Sequence, residues 1–501
     1  MDNSLPYEII LLIAESLHRE RDISALMRTN RAFYDLLITQ LYKKTVRSGH
    51  PALFWCYRNG FMAPVKRILS LKADVNSHWR LFAGEVTPLM EAARAGFVGI
   101  TRLLLEHGAK VDLCNPGEGA CEPPLTLAAA EDKNAFLCFP RVGHAPFGRY
   151  GDVPDEPHSD WNVFDMRVAE RPEDVRNYQD VVKLLLNHGA NPNNTTNGSK
   201  MYISPLMVAA IHGNIQTAKI LLEHGASLSP HFPVYATKYG PTEVEWESPL
   251  KMACYLESSK RYPMLDLLLE YGADINLEDL NGETLIFEIV GGEGDAFVDL
   301  IRELCKRGAR PSQRNILSQT PLHMCHSSEG MVKVLLENGA EVNVQDHKGR
   351  TALFRNRELP VLKQLLVHGA DPNICDNIGD RPLTDLVSSG NYDAVKLMLD
   401  HGADTNYELA YGDTNLHAAA MRGYASILRL CLEHRADLGI KAHDSSTAWD
   451  VAEVKECRGI LFEWATRTDR EEELSGRIDL NAEDESGDEI GDDGSHDSSG
   501  N

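Results

Sequence analysis

Apolar residues recur along most of this chain in a two-part pattern with a nearly constant period. The first part begins with Thr or Ser followed by Pro and continues with small residues, as in TPLMEAARAG at 87–96. The second part is rich in leucine and ends in Gly, as in LLLEHGA at 103–109. Thr can cap a helix, Pro suits its first turn, and Gly suits the left-handed turn after a helix. The pattern therefore predicts a stack of helix pairs.

The closing Gly recurs in register at positions 108, 189, 225, 272, 308, 339, 369 and 402. Lys72 and Arg435 occupy the same slot in two degenerate repeats, and a last unit at 446–466 lacks the closing Gly. Eleven units result. Their period and TPLH-type opening resemble the ankyrin repeat over residues 50–467. The resemblance implies an all-α solenoid of helix pairs with β-hairpin fingers beside a concave face.

The segments between a closing position and the next opening residue are uneven in length. In six of them, from 272→285 to 435→448, the two positions are 13 apart in the sequence. In three N-terminal ones the positions are 16 apart, and in 225→249 they are 24 apart. In ankyrin-like folds these segments form the fingers, so the N-terminal fingers are expected to be extended. A separate insertion at about 131–178 splits the third repeat between its two helices.

The extended fingers, at 73–87, 190–204 and 226–248, carry large aromatic side chains. These are Trp79, Phe82, Tyr202, Phe232, Tyr235, Tyr239 and Trp246. Aromatic residues on protruding loops are common anchors of protein interfaces, so the sequence predicts that these residues bind a protein substrate. The alternative that they fold back over neighbouring helices stays open.

Residues 5–17, LPYEIILLIAESL, do not follow the repeat pattern. Apolar residues at 9–14 cover every face of the predicted helix, which must therefore be buried on two sides. Glu8 and Glu15 flank this run, Asp2 replaces a basic residue, and no small-residue cleavage site follows. These features argue against a signal peptide.

Residues 3–45 resemble an F-box. The matching positions are Leu5, Pro6, Glu8 and Ile9, then Asp22, Ile23 and Leu26, then Arg31, Phe33 and Leu36. The resemblance implies docking to the Skp adaptor of an SCF cullin–RING ubiquitin ligase. The adaptor-binding residues it implies are Leu5, Pro6, Ile9, Ile13, Leu17 and Leu26. The alternative is a pair of capping helices that shield the first repeat.

Composition divides the chain into three predicted domains, an F-box-like segment at 1–47, the array at 48–467 and an acidic tail at 468–501. The net charge is −24, and residues 469–501 hold 13 acidic and 2 basic residues. Such a tail is expected to be disordered, and the acidic balance argues against nucleic-acid binding. Ten scattered cysteines without a C-x-x-C pair, and no long apolar run, favour a cytoplasmic or nuclear protein.

Candidate catalytic and metal-binding groups are sparse. The string HMCH at 323–326 contains His323, the His of a TPLH opening, for which a structural hydrogen bond is expected. A second His recurs once per unit in the EHGA block, which favours a packing role, and no nucleophile–base pattern is present. We therefore predict a non-enzymatic, cofactor-free adaptor whose F-box docks to the Skp adaptor and whose repeats bind a protein substrate. The alternative is a plain ankyrin scaffold or inhibitor.

Overall fold

The computed structural model describes residues 56–57, 60–81, 84–113, 122–131, 174–195, 203–229, 248–292, 297–325, 328–409 and 412–467. The chain divides into two compact units, Met1–Ile275 (unit 1) and Asn276–Asn501 (unit 2). Within the described residues each unit is built from repeated helix pairs. The segments at 1–47 and 468–501 lie outside the described residues, and the boundaries drawn there stay predictions.

Unit 1 contains one β-hairpin and nine of the described helices. They are α1 (Met62–Ser70), β1 (Trp79–Leu81), β2 (Gly84–Val86), α2 (Pro88–Ala95), α3 (Val98–Glu106), α4 (Pro124–Ala129), α5 (Tyr178–Asn187), α6 (Pro205–His212), α7 (Ile215–Glu223), α8 (Pro249–Cys254) and α9 (Ser258–Glu270). The first helix of each pair, here called the inner helix, is followed by a second helix that packs against it.

Unit 2 continues the same alternation. Its described helices are α10 (Leu285–Val290), α11 (Val298–Lys306), α12 (Pro321–Met324), α13 (Glu329–Glu337), α14 (Ala352–Arg355), α15 (Leu359–Val367), α16 (Pro382–Ser388), α17 (Tyr392–Asp400), α18 (Asn415–Met421), α19 (Ala425–Glu433) and α20 (Lys455–Arg467). Within this unit each inner helix lies against the inner helix of the next repeat, and the second helices pack in the same way.

The opening block starts its helix as the sequence predicts. The Thr87 hydroxyl accepts a hydrogen bond from the Met90 amide, and the Ser204 hydroxyl accepts one from the Met207 amide, each at 3.2 Å. Pro follows the cap in both helices. A capped first turn with Pro at its first position satisfies amides that would otherwise lack partners.

The closing position ends the second helix in a left-handed conformation. All eight predicted closing glycines have positive φ, and Gly402, for example, lies at +87°. Lys72 and Arg435 also adopt positive φ, at +57° and +66°. The assignment of these two residues to the Gly slot is therefore confirmed, although a side chain makes this conformation costly.

An Asn four residues after the closing position joins each of several repeats to the next. The Asn373 Nδ2 donates to the Gly402 carbonyl at 2.9 Å, and its Oδ1 accepts from the Asp404 amide at 2.8 Å. The same two-bond arrangement, here called the amide bridge, is made by Asn76, Asn193, Asn276, Asn343 and Asn406. Repeat stability depends on such nearest-neighbour contacts.

The regular fingers differ from the expected β-hairpins. In the described part of the chain the one strand pair is β1 with β2, which lies in the first extended finger. The finger at 340–351 is instead a turn in which the Asp346 Oδ1 accepts from the amides of Lys348 and Arg350, at 2.8 and 3.0 Å. Because the carboxylate satisfies these amides, a finger of this regular length has no need of strand pairing.

The insertion predicted at about 131–178 lies largely outside the described residues, and its two ends join helices of one pair. Helices α4 and α5 pack together although the insertion separates them in sequence. Its C-terminal end is anchored at Asp174, which accepts from the amides of Gly99 and Ile100 at 2.9 and 2.6 Å. At its N-terminal end the Thr217 hydroxyl donates to the Glu131 carboxylate. Both ends are therefore attached to neighbouring repeats of unit 1.

Replacing Arg435 by Gly should raise the free energy of unfolding by about 0.5–1 kcal/mol, because Gly accepts positive φ without steric cost. Arg435 is exposed, so little packing is lost. Gly402→Ala should lower stability by about 1 kcal/mol for the opposite reason. No atom lies within 4 Å of the added Cβ, so this cost is conformational. Urea unfolding measures both changes.

The matched control for this prediction is Arg422→Gly, because Arg422 follows α18 with φ of −79°. Gly should destabilise the protein there by about 0.5–1 kcal/mol. If Arg435→Gly destabilises the protein as much as Arg422→Gly does, the left-handed conformation at 435 carries no strain and the prediction is wrong.

Candidate protein-binding surfaces

Almost all of the residues predicted to bind an adaptor or a substrate lie outside the part of the chain that the structure describes. All six adaptor-binding residues, Leu5, Pro6, Ile9, Ile13, Leu17 and Leu26, lie outside the described residues. So do six of the seven substrate-binding residues, Phe82, Tyr202, Phe232, Tyr235, Tyr239 and Trp246. Trp79 lies in β1, opposite Val86 in the strand pair. These assignments therefore stay predictions.

Three of the four inner helices of unit 1 present a closed face. The fifth residue of the opening block, counted from the capping residue, is Glu91 in α2, Leu127 in α4 and Val208 in α6, whereas Met252 in α8 is half-buried. The side chains of Glu91, Leu127 and Val208 are 1%, 3% and 0% exposed. A bound protein therefore cannot contact this position in those three repeats without a rearrangement.

The equivalent position in unit 2 is open. Glu288, Arg355 and Asp385 are the fifth residues of their blocks and are exposed, and Met324 is half-buried. Helices α12, α14 and α16 follow one another in the stack, so these side chains belong to adjacent repeats. The inner face of unit 2 is therefore available for contact with another polypeptide.

A buried ion pair accounts for the charges in the closed face of unit 1. The Arg94 Nε donates to the Glu91 Oε1 at 3.1 Å, and both side chains are almost fully buried. Two charged residues on a helix surface would ordinarily be read as solvent-facing. Sequence reasoning did not predict this ion pair. The one feature that could have indicated it is that the two residues lie three positions apart on one helix.

The tips of the regular fingers carry exposed apolar residues that sequence reasoning also missed. Ile316 and Ile378 are 68% and 69% exposed, and Leu280 and Leu317 are also exposed. Neighbouring fingers are joined by backbone hydrogen bonds, such as Ile316 N to Asn281 O at 2.8 Å and Asn377 N to Lys348 O at 2.9 Å. The tips therefore form a row. The D-x-x-G turn sequence at 279–282 and 376–379 was the signal for two of these tips, whereas the tip with Ile316 has the sequence NILS at 315–318.

Ion pairs join adjacent repeats of unit 2. Arg357 contacts Asp385 at 2.8 Å, and Arg381 contacts Asp404 at 3.1 Å. The Arg381 guanidinium also lies 3.7 Å from the centroid of the Tyr407 ring. These pairs neutralise acidic side chains and link repeats, but exposed ion pairs contribute little to stability.

His323 makes the structural hydrogen bonds that its place in the TPLH block predicts. Its Nδ1 accepts from the Thr320 amide at 3.0 Å, and its Nε2 donates to the Arg350 carbonyl at 3.0 Å. Burial lowers the pKa of His323 despite the opposing effect of the Arg350 carbonyl. Because both ring nitrogens have protein partners, this histidine is not arranged as a metal ligand.

The His of the EHGA block has a recurring structural role. His107, His188, His224, His368 and His401 each bond through Nδ1 to the carbonyl four residues earlier, at 2.8–2.9 Å. These carbonyls belong to the last turn of a helix, and in four of the five repeats the same carbonyl also accepts the backbone amide of its histidine, so the ring adds a second hydrogen bond there. The predicted packing role is therefore refined to capping of the helix C-terminus.

No catalytic or metal constellation is found within the described ranges. Burial raises the pKa of Cys56, Cys325 and Cys431 to about 12, so these thiols are poor nucleophiles. No group of three potential metal ligands occurs in the described part of the chain. Among the same residues no helix is both long and apolar enough to cross a bilayer.

The sequence matches two related family profiles over more than half of its length. Residues 173–279, 250–346 and 350–442 match the profile for Ankyrin repeats (3 copies), and residues 85–116 match the profile for a single Ankyrin repeat. The chain is an ankyrin-repeat protein. Its repeats accordingly form a protein-binding scaffold. No F-box is found in these comparisons, so that resemblance stays a prediction.

Several curated proteins resemble parts of this ankyrin-repeat chain. The human Ankyrin repeat and MYND domain-containing protein 1 is 29% identical over 42% of this chain and 25% of its own length. The human Ankyrin repeat and SOCS box protein 6 is 24% identical over 55% of this chain and 60% of its own length. The chain thus spans less than two thirds of either relative.

Among solved structures, the ankyrin repeat domain of Bcl-3, described as a unique member of the IkappaB protein family, is 22% identical. It aligns with a TM-score of 0.37 over 52% of this chain and 98% of its own length.

Protonation of His323 should destabilise the fold in mildly acidic solution. Its folded pKa is lowered by burial, whereas the unfolded chain titrates near 6.5. Its contribution is therefore fully present above about pH 6.5 and is lost as the pH falls through the lowered folded pKa. His323→Gln should be less stable at about pH 8 but lose less stability on acidification. Urea unfolding across this pH range measures the free energy of unfolding of both proteins. If that free energy changes with pH equally in the two proteins, the prediction is wrong.

Proposed function

We propose that this ankyrin-repeat chain is a non-enzymatic adaptor, the substrate-recognition subunit of an SCF-type E3 ubiquitin ligase. Its repeats bind a protein substrate, and its F-box-like segment at 3–45 docks to the Skp adaptor and through it to a cullin. The observation that supports a binding role in general is that the described repeats expose charged and apolar side chains, as on the open face of unit 2 and along its finger tips. That surface offers charged and apolar side chains across adjacent repeats and no catalytic group.

The ligase link rests on the residue pattern of the N-terminal segment. Leu5, Pro6 and Ile9 fit the opening of an F-box, and the six apolar residues at 9–14 need cover on two sides. A small helical unit can cover one side, and an adaptor can cover the other. The Ankyrin repeat and SOCS box relative similarly combines its repeats with a second named module.

The second candidate function is a plain ankyrin scaffold or inhibitory binding protein. In that case the segment at 1–47 caps the first repeat and contacts no adaptor. The same surfaces of the repeats would then bind a partner without leading to ubiquitin transfer. Adaptor binding separates the two functions directly.

A double change of Leu5 and Pro6 to Ala, or the single change Ile9→Asp, should abolish adaptor binding. Buried apolar anchors dominate interfaces, and the loss should exceed about 2 kcal/mol, or more than about thirtyfold in Kd. Titration of the purified full chain with a Skp adaptor measures this. Circular dichroism should show that the repeats remain folded.

The matched control is Lys363→Glu, an exposed residue in the second helix of a unit 2 repeat. It should bind the adaptor as the unchanged chain does. If no form of the chain binds the adaptor, or if the Ile9→Asp form binds equally well, the ligase function is wrong and the plain scaffold is favoured.

The extended fingers are proposed as the main substrate contact. Residues 228–247 include Phe232, Tyr235, Tyr239 and Trp246. Trimming this finger to the length of the regular ones should leave the adaptor bound and the melting temperature nearly unchanged, but should abolish substrate capture. Quantitative mass spectrometry of proteins co-purified with each form measures the difference.

A matched change on the regular fingers tests the alternative surface. Ile316→Ser with Ile378→Ser removes two exposed apolar side chains from the tips in unit 2. If the trimmed protein still captures its partners and this double variant loses them, recognition lies in the regular fingers and the proposed substrate site is wrong.

A further inference from the structure

Large aliphatic side chains are exposed on neighbouring finger tips of unit 2. Leu280, Ile316 and Ile378 are each more than half exposed, and each lies in the turn at the end of its finger. These turns are joined to one another, as by the hydrogen bond from the His347 amide to the Leu317 carbonyl at 2.9 Å. The side chains therefore lie along one row instead of being scattered singly, and an exposed apolar row of this kind marks an interaction surface.

Acidic residues outnumber basic ones around these tips. We define the tip segments as residues 278–283, 314–319, 345–350, 375–380, 408–413 and 441–446, one from each finger of unit 2. Together they hold nine acidic and four basic residues. In the described part of the tip segments the one ion pair is that of Arg350 with Asp376, at 3.1 Å. The other eight acidic residues are therefore opposed by three basic ones, Arg314, Lys348 and Lys441.

Hydrogen bonds within the tip segments leave the charge of their carboxylates in place. The Asp279 Oδ1 accepts from the amides of Asn281 and Glu283, at 2.8 and 2.7 Å. The Glu283 Oε1 accepts from the Asn315 Nδ2 at 3.0 Å. Because these amide donors are neutral, the negative charge of the first tip segment remains available to a cation from another molecule.

Repulsion between carboxylates marks a second place where a cation would be stabilised. Asp380 and Glu408 make no side-chain hydrogen bond or ion pair to the described residues. Burial and then the like charge of Asp376 raise the pKa of Asp380, and the Arg350 guanidinium offsets this only in part. A Lys or Arg side chain of another molecule placed at the fourth and fifth tip segments would reduce this repulsion.

The length of the apolar row sets the size of the segment that can cover it. The row from Leu280 to Ile378 crosses four fingers. Three steps of roughly 10 Å per repeat give about 30 Å, which a helix of about twenty residues or an extended segment of about nine residues spans. The acidic residues lie beside the aliphatic tips in the sequence of each finger, so a matching segment carries basic side chains beside its apolar ones.

We propose that the tip segments of unit 2 bind a basic amphipathic segment of a partner protein. A line of aliphatic side chains on that segment contacts Leu280, Ile316 and Ile378. Lys or Arg residues beside this line pair with carboxylates of the tip segments, such as those of Asp380 and Glu408. An acidic segment is repelled by the same carboxylates, so the surface selects its partner by charge. This contact is separate from the extended fingers and does not depend on the ligase function.

Three designed peptides test the chemistry of the partner in titrations of the full chain. The first peptide consists of about twenty leucine and lysine residues, with leucine at helical spacing so that it forms one apolar stripe. The second has serine in place of leucine, and the third has glutamate in place of lysine. The leucine–lysine peptide should bind at least about tenfold more tightly than either of the others, because it alone matches both the apolar row and the charge.

Substitutions at the tips test whether this peptide binds there. Ile316→Ser with Ile378→Ser should weaken its binding at least about tenfold, because two aliphatic contacts are lost. The matched control is Leu359→Ser with Val367→Ser, two exposed aliphatic residues on α15, and it should leave the Kd unchanged. Circular dichroism of both double variants establishes that the repeats are folded.

Removal of charge tests the electrostatic part separately. Asp380→Asn with Glu408→Gln should weaken binding about fivefold at about 0.01 M salt and hardly at all at about 1 M, because salt screens exposed charges. The control is Glu270→Gln with Glu433→Gln, which removes the same charge from the ends of α9 and α19 and should leave the Kd unchanged.

Three results would overturn the proposal. If the leucine–lysine peptide binds no more tightly than the other two, the surface does not select this chemistry. If each tip variant binds it as tightly as its control does, the peptide is attracted only by the net charge of the chain. If the form trimmed at 228–247 no longer binds the peptide, the extended fingers hold it, and this proposal is wrong while the proposed substrate site stands.

Discussion

The amide bridge between adjacent repeats is the interaction on which the arrangement of the binding surfaces depends. Asn373 uses its donor on the Gly402 carbonyl and its acceptor on the Asp404 amide, so it fixes two points of the next repeat. The left-handed conformation of the closing residue turns the carbonyl toward this donor. With that spacing fixed, neighbouring finger turns come within hydrogen-bond distance, as Lys348 and Asn377 do. The row of finger tips therefore follows from the left-handed conformation of the closing residue and the amide bridge that this conformation allows.

The two units are built from the same kind of helix pair, but their inner faces differ in how far side chains are exposed to solvent. In unit 1 the Glu91–Arg94 pair and the apolar residues Leu127 and Val208 are withdrawn from solvent. In unit 2 Arg355 and Asp385 occupy the same position and are exposed. Burying an ion pair costs desolvation that a pairwise attraction only partly offsets. At these positions the inner helices of unit 1 are therefore unsuited to binding a partner, whereas the open face of unit 2 can contact one.

Much of the fold could be predicted because each repeat obeys local rules. The caps at Thr87 and Ser204, and the left-handed slot that includes Lys72 and Arg435, are determined by short-range backbone chemistry and by register. The turn form of the regular fingers was misjudged, although the Asp of the D-x-x-G sequence supplies the acceptor that replaces a strand partner. The burial of Glu91 and Arg94 could not be predicted, because solvent exclusion depends on packing between distant parts of the chain.

The distribution of partners among charged residues adds a constraint that net charge alone hides. Acidic residues of unit 2 serve as turn acceptors, as Asp346 does, and as ion-pair partners, as Asp376 does. A hydrogen bond from a neutral amide leaves the charge of a carboxylate in place, whereas an ion pair such as Arg350–Asp376 offsets it. The side chains of Lys348 and Arg355 have no hydrogen-bond or ion-pair partner among the described residues. In a chain of net charge −24, acidic residues of unit 2 therefore serve two different purposes, because some order the finger turns and others join neighbouring repeats through ion pairs.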